Sequence, residues 1–417
     1  MRFRLFDKNQ GKYLFLLLGM TAFLLYSGCR NTRDVVFEQP AKSGPPMVDS
    51  LLNHFVVKYG EFLESFTDTT RFPRSYSNDR VVFTSSSGWT SGFFPGILWN
   101  LYRYTNNQQM YRAARSWTNT LLAESNNVST HDVGFIINSS VGLGYLMTSD
   151  EKYRTTLLKA AESLASRFYD QPGCIKSLDD FESYDYPVLI DNLVNLEILF
   201  KAWKLSGNER YYRIAYAHAL KTMENHLRRD FTVYQLVDYN PESGVPVFRG
   251  TFQGFDTTSV WTRGQAWGIY GFTMAYRETR DRVFLDLAVR MADFLIDNPY
   301  FKDGFIPFWD LETPKIPNEL RDASAAAILD SAFLEISTFP EVADPGKYYR
   351  AGENILHALA NPQYCAGMNE NKFFIVKHCV GNFPGNVEVD VPLIYADYYF
   401  LEALLKYRNI IDQQENE

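Results

Sequence analysis

The 417-residue chain lacks the short signatures by which several common enzyme classes are found in a sequence. It has 4 cysteines and 6 histidines, with no CxxC and no HExxH pattern, so no zinc site is indicated. GxSxG, GxGxxG and phosphate-binding loops are also missing. No basic run follows the N-terminal region, and the net charge of −8 argues against a nucleic-acid partner. These absences predict no metal, no cofactor and no nucleic acid.

What the chain does contain is a repeated pattern of paired helices. Five segments share an Asn, Asp or Gly, then polar residues, then an aromatic residue that begins an Ala-containing amphipathic helix. Before each lies a helix rich in small and aromatic residues, and helices at about 47–66 and 389–409 complete a sixth pair. Twelve alternating helices predict an all-α (α/α)6 toroid with long loops at one mouth. Between 230 and 263, the longest loop is predicted to contain a β-hairpin. The five aromatic residues are Tyr111, Tyr153, Tyr212, Phe284 and Tyr349.

The N-terminal 46 residues are predicted to lie outside this fold. Basic residues precede an apolar run from 13 to 26, which is too short to span a membrane but has the length of a signal-peptide core. The run ends in LYSGC, which resembles a bacterial lipoprotein signal: residues 1–28 would be removed and Cys29 acylated. Residues 29–46 read as a tether, and 47–417 as one catalytic domain. The expectation is a periplasmic protein that meets a membrane only through a lipid anchor, with ordinary secretion as the alternative.

The other three cysteines leave two interpretations open. Cys365 and Cys379 would pair in an oxidising compartment, leaving Cys174 unpaired. Alternatively, all three are isolated buried thiols.

Two aspartates stand at the starts of predicted inner helices, Asp132 in HDVGF and Asp191 in VLIDNLVNL. In a closed ring of helix pairs, such starts gather at one mouth. Asp132 taken alone is more often a structural helix cap. Asp191 has apolar neighbours, and both burial and a second carboxylate raise a carboxyl pKa. If the two meet, Asp132 suits the charged role and Asp191 the proton-holding role of an acid–base pair.

A second concentration of polar and aromatic residues runs from 251 to 272, with a related stretch, GWTSGFFPG, at 88–96. Aromatic faces suit sugar C–H surfaces, amides supply donors and acceptors, and an arginine can pair with a carboxylate. Core packing is the alternative for Trp267, and a turn before a helix is the alternative for Trp89. The predicted substrate-binding residues here are Trp89, Gln253, Trp261, Arg263, Gln265 and Trp267.

Together these segments resemble the unsaturated glucuronyl hydrolases, glycoside hydrolase family eighty-eight. The resemblance runs from about 88 to 405 through GWTSGFFPG, HDVGF, IDNLVNL, QGFDTTSVWTRGQAWGIYGF, RDASAAAI and ADYYFLEALL. It implies an enzyme that removes the terminal 4,5-unsaturated uronic acid from lyase-generated glycosaminoglycan oligosaccharides, by adding water across the C4=C5 enol ether without metal or cofactor. Asp191 matches the family's proton donor and base, and Asp132 matches its second essential aspartate.

Some positions depart from the family pattern. Phe252 stands where many relatives have a histidine, Leu178 replaces a tryptophan, and Gln235 replaces another histidine and joins the predicted substrate-binding residues. The loop from 380 to 390 has no Lys or Arg, which disfavours sulfate recognition there. Three alternatives remain: an unsaturated rhamnogalacturonyl-type hydrolase, an ordinary inverting glycosidase on the same fold, and a catalytically dead glycan-binding lipoprotein.

Overall fold

The outer helices begin where the sequence supplies a capping side chain. In the computed structural model, which describes residues 46–414, an Asn or Asp before each of the five aromatic repeats accepts a hydrogen bond from a backbone N–H of the first helical turn. These amides have no partner inside the helix, so the side chain fixes where the helix starts. The capping residues are Asn107, Asp150, Asn208, Asp281 and Asp344.

The described part of the chain contains fifteen α-helices. In order they are α1 (Pro46–Ser65), α2 (Phe93–Thr105), α3 (Gln108–Leu121), α4 (Val133–Ile137), α5 (Leu143–Thr148), α6 (Glu151–Ala165), α7 (Asn192–Asn195), α8 (Glu197–Ser206), α9 (Glu209–Asn225), α10 (Thr262–Thr279), α11 (Arg282–Asp297), α12 (Pro299–Lys302), α13 (Ala323–Ile336), α14 (Pro345–Ala360) and α15 (Ile394–Gln414). A 3₁₀ helix, Leu122–Asn126, follows α3, and a π-helical segment, Asn138–Gly142, joins α4 to α5.

These helices form six inner–outer pairs. The inner ring consists of α2, α4–α5, α7–α8, α10, α13 and α15, and the outer ring of α3, α6, α9, α11, α14 and α1. All residues of α13 and nearly all of α10 are buried, whereas α3 and α11 bury one face only. A helix surrounded by neighbours is apolar or small on all sides, while an outer helix keeps a polar face. The predicted (α/α)6 toroid is confirmed.

Nine short strands lie in the loops of the described chain. They are β1 (Phe72–Ser77), β2 (Arg80–Thr84), β3 (Phe168–Tyr169), β4 (Cys174–Ile175), β5 (Pro187–Leu189), β6 (Leu236–Tyr239), β7 (Pro246–Gly250), β8 (Cys379–Asn382) and β9 (Val387–Val391). The predicted hairpin is confirmed as β6–β7, and β5 adds to it in antiparallel register, with Leu189 opposite Leu236. Since β5 ends two residues before Asp191, this sheet fixes where α7 starts.

Two helix boundaries differ from the prediction. The last helix starts at Ile394 rather than near Val389, because Val387–Val391 pairs with Cys379–Asn382 as a β-hairpin. The inner helix expected from 132 to 147 is interrupted by the π-helical segment, in which Ser140 donates its hydroxyl to the carbonyl of Ile136. Both differences arise from contacts that hydrophobic periodicity does not report.

The cysteines and the N-terminal region bear on the secretion predictions. Cys174, Cys365 and Cys379 are all free, so the predicted alternative of a Cys365–Cys379 disulfide is wrong. The predicted signal peptide, Cys29 and residues 29–45 of the predicted tether lie outside the described residues, and Pro46 begins α1. Within 46–414, no helix has both the length and the apolar character needed to cross a membrane.

Candidate active site

Asp132 and Asp191 occupy the positions immediately before α4 and α7. Neither carboxylate makes a capping hydrogen bond to its helix, so the alternative of a structural cap is wrong for Asp132. Asp132 Oδ2 instead accepts a hydrogen bond from the Thr130 hydroxyl at 2.8 Å. Both carboxylates are therefore available for other chemistry at the start of an inner helix.

A close helix contact brings these two starts together. The Asn195 side chain accepts a hydrogen bond from the backbone N–H of Phe135 in α4, and its Nδ2 donates to the carbonyl of Asp191 at 3.3 Å. A Cβ atom built on Gly134 would lie 2.5 Å from Asn195 Oδ1 and 2.8 Å from its Cα, so only glycine permits this approach. One asparagine and one glycine thus set the separation between the aspartates.

The resulting cluster contains His131, Asp132 and Asp191. One side-chain nitrogen or oxygen atom from each residue lies within 4.8 Å of those from the other two, and His131 Nε2 is 3.4 Å from Asp132 Oδ1. Asp132 keeps 17% of its side chain exposed, whereas Asp191 Oδ1 is buried without a hydrogen-bond partner. This spacing would also suit a cation, although a role as proton carrier requires Asp191 to bind a proton instead.

The environment of Asp191 favours its protonated form. Burial raises the pKa of Asp191, the neighbouring His131 would lower it if charged, and the charge of Asp132 raises it further. A carboxyl group with a raised pKa holds its proton at higher pH than an ordinary aspartate and can donate it to a substrate. The division of roles expected from the sequence therefore has a physical basis in the buried, unpartnered Oδ1 of Asp191 and the 17% exposure of the Asp132 side chain.

A segment before β5 supports both aspartates from behind. The carbonyl of Ser177 accepts a hydrogen bond from His131 N at 2.8 Å, and the Ser177 hydroxyl accepts one from Leu189 N at 2.9 Å. Asn192, next to Asp191, donates to the same hydroxyl at 3.2 Å and to the carbonyl of Ile175 at 3.0 Å. Neither Ser177 nor Asn192 was predicted from the sequence, since their role depends on strand pairing across distant segments.

Arg263 is held by groups that the sequence did not connect to it. Its guanidinium pairs with Asp322 at 3.1 Å, donates to the carbonyls of Val380 and Gly381, and lies over the Trp261 ring at 4.5 Å. Asp322 in turn caps α13 and accepts from the backbone N–H of Val380. Arg263 thus pairs with a carboxylate as predicted, but that carboxylate belongs to the protein. An aspartate before the Ala-rich run of α13 was the available signal for Asp322.

Gln253 and Gln235 form one hydrogen-bonded unit. Gln235 Nε2 donates to Gln253 Oε1 at 2.6 Å, and Gln235 Oε1 accepts from the backbone N–H groups of Phe252 and Gln253. Gln253 Nε2 reaches the carbonyl of Gly381 at 3.1 Å, which also accepts from Arg263. Gln235 therefore shapes the loop that presents Gln253, and a direct contact of either with substrate stays a prediction.

Gln265 does not join this group. It has no exposed surface, and its Nε2 donates to the carbonyl of Phe231 at 2.9 Å. The prediction that Gln265 binds substrate is wrong, because its position in α10 points it into the packed interior.

Two of the three predicted tryptophans, Trp89 and Trp267, lie against Phe135. Trp89 is half-buried, with its ring centroid 5.8 Å from that of Phe135, and Trp267 is 2% exposed with its ring 5.4 Å from the same residue. Trp261 is also buried and lies under Arg263. Trp89 and Trp267 thus flank Phe135 of α4, and Trp89 is the most exposed residue of the three. Their contacts with substrate stay predictions.

A helical toroid with paired aspartates at one mouth defines a glycosidase-type protein, and the comparisons with known proteins agree. The family model described as Glycosyl Hydrolase Family 88 matches residues 64–287, so the chain belongs to that family. The unsaturated glucuronyl hydrolase of Formosa agariphila is 36% identical over 405 residues, covering 96% of this chain and 98% of that protein.

Two further relatives have names that mention a substrate. The unsaturated chondroitin disaccharide hydrolase of Streptococcus pneumoniae is 30% identical over 370 residues, covering 86% of this chain and 90% of that one. A solved structure of an unsaturated glucuronyl hydrolase specific for heparin has a TM-score of 0.85 and 38% identity, covering 88% of this chain and 98% of that chain. The chain is a glycosidase of this family.

Proposed function

We propose that the protein removes the terminal 4,5-unsaturated uronic acid from glycosaminoglycan oligosaccharides released by a polysaccharide lyase. One observation carries the proposal: Asp191, whose Oδ1 is buried without a hydrogen-bond partner, has a carboxylate oxygen within 4.8 Å of one of Asp132. An enol ether needs one acid to protonate carbon and a second carboxylate to stabilise the positive charge that develops. The pair supplies both.

The steps follow from this division. Asp191 gives its proton to C4 of the unsaturated ring, and positive charge develops at C5 and the ring oxygen. Asp132 stabilises that charge. A water molecule bonds to C5 while returning a proton to Asp191, which restores the acid. The product is a hemiketal at C5. Breaking its bond to the ring oxygen gives a ketone at C5 and an open-chain hemiacetal at C1, which releases the next sugar as an alcohol and leaves an aldehyde, without direct displacement at C1.

The spacing of the carboxylates disfavours an ordinary inverting glycosidase. Such enzymes keep their two carboxyl groups roughly 6.5–9.5 Å apart so that a water molecule fits beside the sugar. Here one oxygen of Asp132 and one of Asp191 lie within 4.8 Å. Hydration of a double bond does not require the wider gap.

A kinetic experiment tests the proposal. Unsaturated disaccharides from heparin, chondroitin and hyaluronan are offered to the wild type, to Asp191→Asn and to Asp132→Asn, with saturated disaccharides as the control. We expect the ultraviolet absorbance of the enol ether to fall only with wild-type enzyme and unsaturated substrate. Cleavage of saturated disaccharides at a similar rate, or full activity of Asp191→Asn, would contradict the proposal.

We also propose that the mature protein is lipid-anchored in the periplasm through Cys29. Support comes from the sequence alone: basic residues, a short apolar run and LYSGC precede a segment rich in proline and glycine. Labelled palmitate should be incorporated into the wild type and not into Cys29→Ser, and the variant should move from the membrane to the soluble fraction. Incorporation that persists in Cys29→Ser would overturn the assignment.

A further inference from the structure

A row of aromatic rings leads away from the active site. Phe252, Phe181, Tyr184 and Phe248 follow one another with successive ring-centroid distances of 4.9, 5.8 and 5.5 Å. All four are half-buried, so each ring keeps part of its surface in solvent. Four adjacent rings in a row present a longer apolar surface than one sugar can cover.

This row is continuous with the site at Phe252. Its backbone N–H donates to Gln235 Oε1, and the next residue, Gln253, reaches the carbonyl of Gly381 that Arg263 also binds. At the other end, the Phe248 ring folds over Gly250, where a Cβ would lie 2.5 Å from the ring. Gly250 thereby leaves room for the Phe248 ring on strand β7. The rings belong to two chain segments, 181–184 and 248–252, that meet only in the folded chain.

The charge beside the row is negative. The segment from 179 to 185 reads DDFESYD, and it carries Phe181 and Tyr184 between acidic residues. Asp179 pairs with Arg167 at 2.9 Å, whereas Asp180, Glu182 and Asp185 are exposed. A sulfated sugar stacked on these rings would meet like charge. This repulsion weakens binding, and added salt screens the repulsion.

We propose that Phe252, Phe181, Tyr184 and Phe248 form a binding strip for the sugar residues that follow the unsaturated uronic acid, and that the strip accepts sulfate-free sugars. Sugar rings present flat C–H faces that stack on aromatic rings. The enzyme should therefore act on oligosaccharides longer than a disaccharide with higher kcat/KM. This inference rests on the proposed function and adds an extended, charge-selective site to it.

The test compares chain lengths of one polymer. Unsaturated di- and tetrasaccharides from unsulfated chondroitin are given to the wild type, Tyr184→Ala, Phe248→Ala, the conservative Tyr184→Phe, and Tyr300→Ala as an exposed aromatic control. We expect the wild type to prefer the tetrasaccharide. Tyr184→Ala and Phe248→Ala should lower kcat/KM for the tetrasaccharide about 3- to 10-fold and leave the disaccharide unchanged. Tyr184→Phe and Tyr300→Ala should behave as the wild type.

A second comparison tests the charge argument. A 6-sulfated chondroitin tetrasaccharide should lose the length preference at low ionic strength and regain part of it as salt is added. Equal wild-type kcat/KM for the unsulfated di- and tetrasaccharide would overturn the proposed strip, and this is the result expected if the four rings bind a protein partner instead. Equal losses of kcat/KM for the two substrates in Tyr184→Ala would also overturn it. Turnover of the two lengths separates the two proposals: no turnover of either unsaturated substrate sinks the proposed function, while turnover of both without length dependence sinks only the strip.

Discussion

At the scale of single residues, Asp191, the proposed proton donor, also carries a stability cost. Its Oδ1 is buried without a partner, and burial with the charge of Asp132 raises its pKa. A raised pKa means that the folded protein binds a proton that the unfolded chain releases. The free energy of unfolding contributed by this group is present at low pH and is lost as pH rises from the usual aspartate range through the raised pKa.

Asp191→Asn should therefore be more stable than the wild type at high pH although it is inactive. The amide cannot ionise, so we expect the variant to gain about 1–2 kcal/mol relative to the wild type between pH 5 and pH 8, the size of one unpaired buried polar group. Urea unfolding at both pH values measures this. Asp170→Asn, an exposed change, should show no such difference. A gain for Asp191→Asn that is equal at both pH values would contradict the argument.

At the scale of elements, the catalytic geometry depends on how closely α4 approaches α7. Gly134 lies against Asn195 with no room for a Cβ, and Asn195 bonds to backbone groups at the start of both helices. The distance between the aspartates is thus set by backbone packing rather than by the aspartates themselves. Such a contact transmits small shifts directly to the reacting groups.

Gly134→Ala should separate the two aspartates. The added Cβ would lie 2.8 Å from the Cα of Asn195, which is backbone and cannot move away cheaply. We expect a loss of about 1–3 kcal/mol in the free energy of unfolding and a fall in kcat of about 10- to 100-fold. Gly142→Ala is the matched control on the same inner helix, because the nearest atom to its Cβ is the side-chain oxygen of Asn138, at 3.1 Å, and its nearest backbone contact is at an ordinary 3.7 Å. Similar kcat values in both variants would show that the approach is not critical.

The sequence predicted the helices and the β6–β7 hairpin better than the contacts between residues that are distant along the chain. The six helix pairs, the β6–β7 hairpin and the meeting of Asp132 with Asp191 follow from local periodicity, turn residues and repetition. Strand β5 has three residues, too few for a periodic signal, and it pairs with β6 across almost fifty positions. Arg263 and Asp322 likewise lie far apart in the sequence, so only the fold could pair them.

At the scale of the whole molecule, a network of charged side chains ties inner helices of the toroid together. Arg277 near the end of α10 pairs with Glu197 of α8 at 3.0 Å and with Glu335 of α13 at 2.8 Å. Lys406 of α15 pairs with Glu335 at 2.7 Å and with Glu402 at 3.3 Å. Four of the six inner helices therefore share one charge network.

This network should make the protein sensitive to acid. Burial alone would raise the pKa of Glu335, but the charges of Arg277 and Lys406 outweigh it and lower the pKa to about 2. Glu197 is lowered to about 2 in the same way by Lys201 and Arg277. A lowered folded-state pKa stabilises the protein above the ordinary glutamate range, and this contribution is lost as pH falls from about 4.5 toward 2.

Replacing Arg277, which pairs with both Glu197 and Glu335, should show how much this charge network stabilises the protein. In Arg277→Met, the carboxylates of Glu197 and Glu335 lose their shared partner. We expect the free energy of unfolding to fall by about 2–3 kcal/mol at pH 7, less than for a fully buried ion pair because the arginine is partly exposed. The difference from the wild type should shrink below pH 4.5, as the glutamates protonate. Urea unfolding across this range measures it, with Arg282→Met as the control, since the exposed Arg282–Asp286 pair contributes little.

Adding Glu335→Gln to Arg277→Met should restore part of the loss, because a neutral amide needs no counter-charge. A double variant as unstable as Arg277→Met alone would mean that packing of the arginine side chain, rather than its charge, holds these helices together.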